Sequence, residues 1–101
     1  MNRPLYLVTA DFGRLGLGYI SEPEDTRASV VNNIATGEWV NVTQVLEIFA
    51  DENSARDITE DIAREVCATV DHEEASWRVA EWLHKMLGVA SIRWPNREAA
   101  Q

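Results

Sequence analysis

The strongest constraint on the fold is a helical repeat of apolar residues in the second half of the chain. Asp57 and Glu60, in the sequence DITE, have the spacing of a capping box, in which each side chain accepts a hydrogen bond from a free backbone N–H at a helix start. Apolar residues then recur at four-residue spacing, namely Ile58, Ile62, Val66 and Val70. This pattern predicts a helix over residues 57–70.

A second helix is predicted directly after the first. Asp71 and Glu74, in DHEE, repeat the capping-box spacing. The residues that follow place an apolar stripe on one side of a helix, formed by Ala75, Val79, Trp82, Leu83 and Met86. Gly88 is expected to end this helix, because glycine favours the position just after a helix C-terminus. The two helices must therefore meet at a tight corner.

Four further apolar runs predict strands. They cover residues 5–12, 15–20, 42–49 and 89–94. In the third run, Val42, Leu46 and Ile48 are expected on one face, with Val45 and Phe49 on the other. A strand that is apolar on both faces is typical of the centre of a sheet.

A further helix is predicted between the second and third strands. Apolar residues recur there at helical spacing, namely Ala28, Val31, Ile34 and Ala35, and Gly37 follows them. The element order ββαβααβ contains too few βα repeats for a doubly wound sheet. It predicts an α+β fold, in which about three helices pack on a small three- to four-stranded sheet. Residues 1–94 form one predicted domain, and residues 95–101 a polar tail.

Charge and cysteine content exclude several classes of function. The chain has 101 residues and is 46% hydrophobic, which allows one domain with a core that needs no metal or disulfide. Its net charge of −8 disfavours nucleic acid and anionic membranes as partners. Cys67 is the only cysteine, so no intrachain disulfide can form, and this fits a reducing compartment. No apolar run has the length of a membrane span. We therefore expect a cytoplasmic protein.

The glycine-rich segment DFGRLGLGYI, residues 11–20, could bind a phosphate or form a turn. Its glycines read GxxGxG instead of the GxGxxG of a dinucleotide-binding loop, and a predicted strand follows instead of a helix. It also lacks the GK(S/T) of a Walker loop, and the chain has neither the lysine-bearing strand nor the catalytic loop that accompany the DFG of a kinase. A hairpin turn is the predicted role. A ligand pocket formed by Asp11, Arg14 and Tyr19 is the alternative.

No catalytic residue, metal site or cofactor is predicted. His72, His84 and Cys67 lack zinc-site spacing, and Cys67 falls beside Ala63 at the edge of a buried helical stripe. A group of carboxylates could gather a divalent cation but lacks the order and the glycine of an EF-hand. Its members are Asp51, Glu52, Asp57, Glu60, Asp61 and Glu65. A solvated acidic face with surface ion pairs is the expected role.

Three segments resemble a group of short, uncharacterised bacterial proteins, and the middle one is TGEWVNVTQVLEIF at residues 36–49. DFGRLG at residues 11–16 and RDITEDIA at residues 56–63 are similar to that group's DFGRLG-like start and RD(V/I)xEDIA helix start. The resemblance covers roughly the first two thirds of the chain, and Val42 stands where the group has a proline. It implies a recurring fold, and it implies no activity, cofactor or site residue.

The tryptophans indicate an interaction surface. On the last predicted helix, Trp82 lies at the edge of the apolar stripe, whereas Trp77 lies about 150° from its centre. Either the C-terminal segment covers Trp77, or Trp77 anchors a partner. The predicted partner-binding residues are Trp77, Arg78, Glu81, His84 and Trp94. Trp39 is expected to pack beneath the connection between a helix and the central strand.

These observations favour a small binding or assembly module that acts through a protein partner or through homodimerisation. One alternative is a small enzyme or ligand-binding domain with a pocket near the turn formed by residues 13–18. Another is an acidic regulator that masks a basic partner, for which salt-sensitive binding would be the signature. An enzyme is not the expected class, because no catalytic constellation is recognisable.

Overall fold

The structure, a computed structural model, describes residues 3–70 and 77–88. Within these residues the chain forms a four-stranded antiparallel sheet with three α-helices, which confirms the predicted α+β fold. The strands are β1 (Leu5–Asp11), β2 (Leu17–Tyr19), β3 (Val42–Phe49) and β4 (Ser54–Asp57). The helices are α1 (Arg27–Ala35), α2 (Thr59–Thr69) and α3 (Trp77–Leu87).

The sheet has the strand order β2-β1-β3-β4, so β3 lies between two neighbours as predicted. The sequence does not predict β4, because its side chains, SARD, are all exposed and carry no apolar alternation. A short 3-10 turn at Ala50–Glu52 precedes it, and Asn53 then adopts a left-handed conformation with φ of 56°. This connection folds β4 back onto β3.

A β-bulge in β3 changes which of its residues face the helices. Thr9 of β1 pairs with Gln44, but Ala10 pairs with Val42, so β3 contains one extra residue at this point. One extra residue reverses the alternation of side chains between the two faces of a strand. Val42 is therefore buried on the same face as Val45, and its predicted placement on the opposite face is wrong.

All three helices pack on one face of the sheet. The core combines side chains from that face and from every helix, namely Tyr6, Val8, Val30, Val31, Ile34, Val42, Val45, Ile58, Ile62, Ala63, Val66, Val79, Trp82 and Leu83. Burying a side chain such as Val, Leu or Ile contributes about 1.5–3 kcal/mol, so this core dominates stability. Trp39 packs against it, as predicted. In α1 the buried residues are Val30, Val31 and Ile34, whereas Ala28, predicted in the apolar stripe, is exposed.

The start of α2 differs from the predicted capping box. Asp57 is the last residue of β4, and Ile58 occupies the position before the helix, with its N–H donating to the carbonyl of Val45 at 2.9 Å. Asp57 Oδ1 instead accepts from the backbone N–H of Thr59 at 2.9 Å. Strand pairing has shifted the helix start, so the reciprocal bond predicted between Asp57 and Glu60 does not form. A capping box of Thr26 and Ser29 is found in α1 instead.

The glycine-rich segment forms the predicted hairpin between β1 and β2. Asp11 Oδ1 accepts from the N–H of Gly13 at 2.8 Å, and the N–H of Phe12 donates to the carbonyl of Gly16 at 2.8 Å. Gly16 has φ of 86° and ψ of −162°, a conformation that only glycine adopts readily. The ring of Phe12 lies so close to Gly18 that a Cβ there would be 2.8 Å from it. Glycine is therefore required by the turn's own geometry.

Several predicted features lie outside the described residues. They are the helix cap at Asp71, the last strand at residues 89–94 and the polar tail at residues 95–101. The end of α3 before Gly88 is confirmed. None of the described helices combines the length and the hydropathy needed to cross a bilayer.

Candidate functional site

Helix α3 carries two tryptophans with opposite environments. Trp82 is 8% exposed, and its indole Nε1 donates to the backbone carbonyl of Val42 at 2.8 Å. This bond ties α3 to the first residue of β3, beside the buried Val79 and Leu83. Trp77, one and a half turns earlier, is 65% exposed. The helical periodicity of the sequence therefore predicts correctly that Trp82 is buried and that Trp77 lies outside the apolar stripe.

The exposed Trp77 is paired with a cation. The guanidinium carbon of Arg78 lies 5.0 Å from the centroid of the Trp77 ring. A contact of this type contributes about 0.5–1 kcal/mol at an exposed site and restricts both side chains before any partner arrives. Of the other predicted partner-binding residues, Glu81 is exposed and His84 is half-buried, and Trp94 lies outside the described residues.

A groove of about 340 Å³ lies between α3 and the ends of β1 and β3. Charged residues of both signs line it, with Arg78, Glu81 and Lys85 on the helix and Asp11 at the end of β1. Trp82 also contributes to its wall. The groove brings together one residue of the predicted ligand pocket and two of the predicted partner-binding residues. It can accept a polar side chain or a charged group of either sign.

The other two residues of the predicted ligand pocket lie elsewhere. Arg14 is exposed in the 3-10 turn Gly13–Leu15, and Tyr19 is 67% exposed in β2, opposite Thr9. Neither lines the groove that contains Asp11. Asp11 is moreover engaged by the hairpin, where its carboxylate accepts from a backbone N–H. Of the three residues, this groove between described elements therefore contains only Asp11.

A buried carboxylate that sequence reasoning did not single out is Glu47, on the helix-facing side of β3. Its side chain is 7% exposed. The hydroxyl of Tyr6 donates to Glu47 Oε2 at 2.9 Å, and Arg56 Nη2 donates to Oε1 at 3.2 Å. Arg27 Nη1 lies 3.6 Å from Oε2 and also pairs with Glu65. The cluster therefore joins β1, α1, β3, β4 and α2.

The electrostatics of this cluster favour a structural role. Burial raises the pKa of Tyr6 above its usual value, and the hydrogen bond to Glu47 raises it further. The Tyr6 hydroxyl therefore stays protonated and acts as a donor to the carboxylate. The pKa of Arg27 is also raised, chiefly by its hydrogen bond to Glu65. A signal was present in the sequence, because Glu47 shares a strand face with Val45 and an acid on such a face requires partners.

Three residues of the RDITEDIA motif shape the junction between β4 and α2. Arg56 reaches back to the buried Glu47, and Asp57 accepts from the hydroxyl of Thr59 at 2.5 Å. The same Thr59 hydroxyl accepts from the N–H of Val45 at 2.9 Å. This motif therefore fixes the helix against the central strand and presents no reactive group.

Asp57 makes this junction sensitive to acid. Its pKa is lowered, first by the side-chain hydrogen bond from Thr59 and then by that from Gln44. A lowered pKa in the folded state stabilises the fold above the unfolded-state pKa of about 3.9, and that stability is lost as the pH falls through the folded pKa. We expect Asp57→Asn to reduce the free energy of unfolding at about pH 7, and the difference from wild type to shrink below about pH 4.

Denaturant unfolding at a series of pH values measures this difference. Asp51→Asn is the matched control, because Asp51 is an exposed acid in the neighbouring 3-10 turn. The control is expected to leave the free energy of unfolding within about 0.5 kcal/mol of wild type. An Asp57→Asn effect of the same size at every pH would contradict the assignment.

Of the remaining acids of residues 51–65, Glu60, Asp61 and Glu65 take part in ordinary ion pairs. Arg64 lies 3.4 Å from Glu60 and 3.8 Å from Asp61. Within residues 3–70 and 77–88, no three His, Cys, Asp or Glu side chains are placed to hold a metal ion. Cys67 is half-buried on α2 and packs against the core, and His72 lies outside those ranges.

No family model matches the chain, and the comparisons with curated proteins and with solved structures found no match either. The resemblance to short bacterial proteins therefore stays a prediction. A functional conclusion has to come from the geometry of the chain itself.

Proposed function

We propose that the protein is a small binding module that recognises a protein partner through the α3 surface, defined as Trp77, Arg78, Glu81 and Lys85. The observation that carries the proposal is the 65% exposure of Trp77 together with the cation stacked on its ring. Tryptophan and arginine are the residues most enriched among those that dominate binding energy at interfaces.

The groove beside the α3 surface supports the proposal. A partner that covers Trp77 would also reach the groove, since Arg78 belongs to both. The aromatic ring offers apolar area to bury, while Glu81 and Lys85 offer polar contacts at its margin. This arrangement has the apolar centre and polar rim of a protein interface. A catalytic function has less support, because none of these side chains is buried or paired in a way that would activate it.

The α3 surface can be tested by affinity capture from the native host. We expect the wild-type protein to retain a partner and Trp77→Ala to weaken its retention by about tenfold or more, since losing an interface anchor costs at least about 1.4 kcal/mol. Circular dichroism should show an unchanged fold, because the side chain is mostly exposed. Quantitative mass spectrometry of the captured proteins gives the ratio.

Leu15→Ala is the matched control for the capture experiment. Leu15 is 87% exposed at the hairpin tip and does not line the groove beside α3. This variant should retain the partner as the wild type does. Equal retention by the wild type and Trp77→Ala, or loss of the partner with Leu15→Ala alone, would contradict the proposal. If retention of the partner falls as the salt concentration rises, charge dominates the binding, as expected for an acidic protein that masks a basic partner.

A further inference from the structure

The sheet has a second face that takes no part in the core. We define the open face as Leu5, Leu7, Leu17, Tyr19, Leu46 and Ile48. Leu5 pairs with Ile48 across β1 and β3, and Leu7 pairs with Leu46. Leu17 and Tyr19 continue the face onto β2, opposite Asp11 and Thr9. None of the six residues belongs to the core that the three helices cover.

The open face is apolar and accessible. Leu17 is 66% exposed, Tyr19 is 67% exposed and Leu5 is 40% exposed. The other three members are half-buried among their neighbours on the sheet. Because the residues lie on adjacent strands, they form a continuous patch. Soluble monomers seldom expose a large continuous apolar patch unless it binds something.

The open face also carries little charge for a protein with a net charge of −8. At the same-side positions of the four strands, the other residues are Thr9, Asp11, Gln44, Ala55 and Asp57. The two carboxylates lie at the margins, one at the end of β1 and one on the edge strand β4. A second copy of this acidic chain could therefore approach the open face without bringing like charges together at its centre.

We propose that the open face is the interface of a symmetric homodimer, in which the sheets of two copies pack face to face. Sheets pack about 10 Å apart through interdigitating apolar side chains, and a two-fold axis places each patch against itself. This inference is independent of the proposed function, because the α3 surface lies on the helical side of the sheet. A dimer would leave both copies of Trp77 accessible and would bind a multivalent partner more tightly than one copy does.

The size of the open face agrees with a weak dimer. The four strands have 7, 3, 8 and 4 residues, and at about 3.3 Å rise and 4.8 Å spacing they give a flat outline of roughly 350 Å². This outline is smaller than the area of about 800 Å² per partner that a standard stable interface buries, so it is in the range of weak, transient interfaces. A dissociation constant in the micromolar range is therefore expected.

Sedimentation equilibrium of the full-length protein, from about 1 μM to 1 mM, tests this inference directly. We expect a dimer with twice the 11.4 kDa mass of the chain. The double variant Leu17→Lys with Tyr19→Lys should raise the dissociation constant by about thirtyfold or more, because it buries two charges per copy. Both side chains are about two-thirds exposed, so the fold should be retained.

Leu15→Lys is the matched control, because the same substitution is made at an 87% exposed leucine outside the open face. It should leave the dissociation constant within about threefold of wild type. If the double variant does not fold, Tyr19→Ser removes only the exposed ring and tests the same surface. A monomer at every concentration would overturn the inference, and the open face would then be covered within the chain or by another protein. A dimer that tolerates the double variant but is lost in Trp77→Ala would also overturn it and would place self-association on α3.

Discussion

Glu47→Ala is expected to lower the free energy of unfolding by about 3 kcal/mol. The substitution removes the acceptor of the buried Tyr6 hydroxyl and the counter-ion of Arg27 and Arg56. A buried donor left without an acceptor costs about 1–3 kcal/mol by itself. The arginines lose less, because their side chains are 35% and 67% exposed and water can solvate them.

Denaturant unfolding followed by circular dichroism measures this loss. For a domain of this size, about 3 kcal/mol corresponds to a fall of roughly 12–24 °C in the melting temperature. Glu60→Ala is the control, because Glu60 is 62% exposed and pairs only on the helix surface with Arg64. An exposed pair of this kind contributes about 0.5 kcal/mol. Equal effects of the two substitutions would show that the Glu47 cluster is not a significant source of stability.

Two further variants separate the contributions within the cluster. Glu47→Gln keeps an acceptor for Tyr6 but removes the charge, and it should cost about half as much as alanine. Tyr6→Phe removes the donor and leaves the ion pairs in place. If the hydroxyl and the carboxylate act together, the double variant will lose less free energy of unfolding than the sum of the losses in Tyr6→Phe and Glu47→Ala.

The helices and three of the strands could be predicted because each carries its own periodic apolar pattern. In α2, the residues Ile62 and Val66 are buried where the four-residue spacing places them. Strand β4 has no such pattern, since its side chains are all exposed and its pairing with β3 depends on the backbone. That pairing also placed Asp57 in a strand and displaced the predicted cap. The local helix-start signal was overridden because Asp57 belongs to a strand that pairs with β3.

The candidate site was predictable only in part. The helical wheel of α3 was sufficient to place Trp77 outside the core, because exposure on an amphipathic helix follows from period alone. The groove was not predictable, since it requires Asp11 at the end of β1 to meet a helix distant in the sequence. The bulge in β3 was also invisible, and it is what turns Val42 toward Trp82. Residues that are brought together by packing leave no shared pattern in one sequence.

Trp82→Ala is expected to be as damaging as any single change in α3, with a loss of about 3–5 kcal/mol. The substitution leaves a large cavity between α3 and the start of β3, and it removes the donor to the Val42 carbonyl. Since α3 depends on Val79, Trp82 and Leu83 for its contact with the core, the helix should detach before the sheet unfolds. A lower denaturant slope together with reduced helical signal would report that detachment.

Two matched variants distinguish packing from hydrogen bonding at this position. Trp82→Phe keeps most of the apolar volume but leaves the Val42 carbonyl without its donor, so it should cost about 1–3 kcal/mol. Trp77→Ala, made on the same helix, should stay within about 0.5 kcal/mol of wild type because that indole is 65% exposed. If Trp77→Ala destabilised the protein as much as Trp82→Ala, Trp77 would be part of the core and the α3 surface would lose its anchor. A large stability effect at Trp82 and a binding effect without a stability effect at Trp77 would assign the two tryptophans to fold and to function respectively.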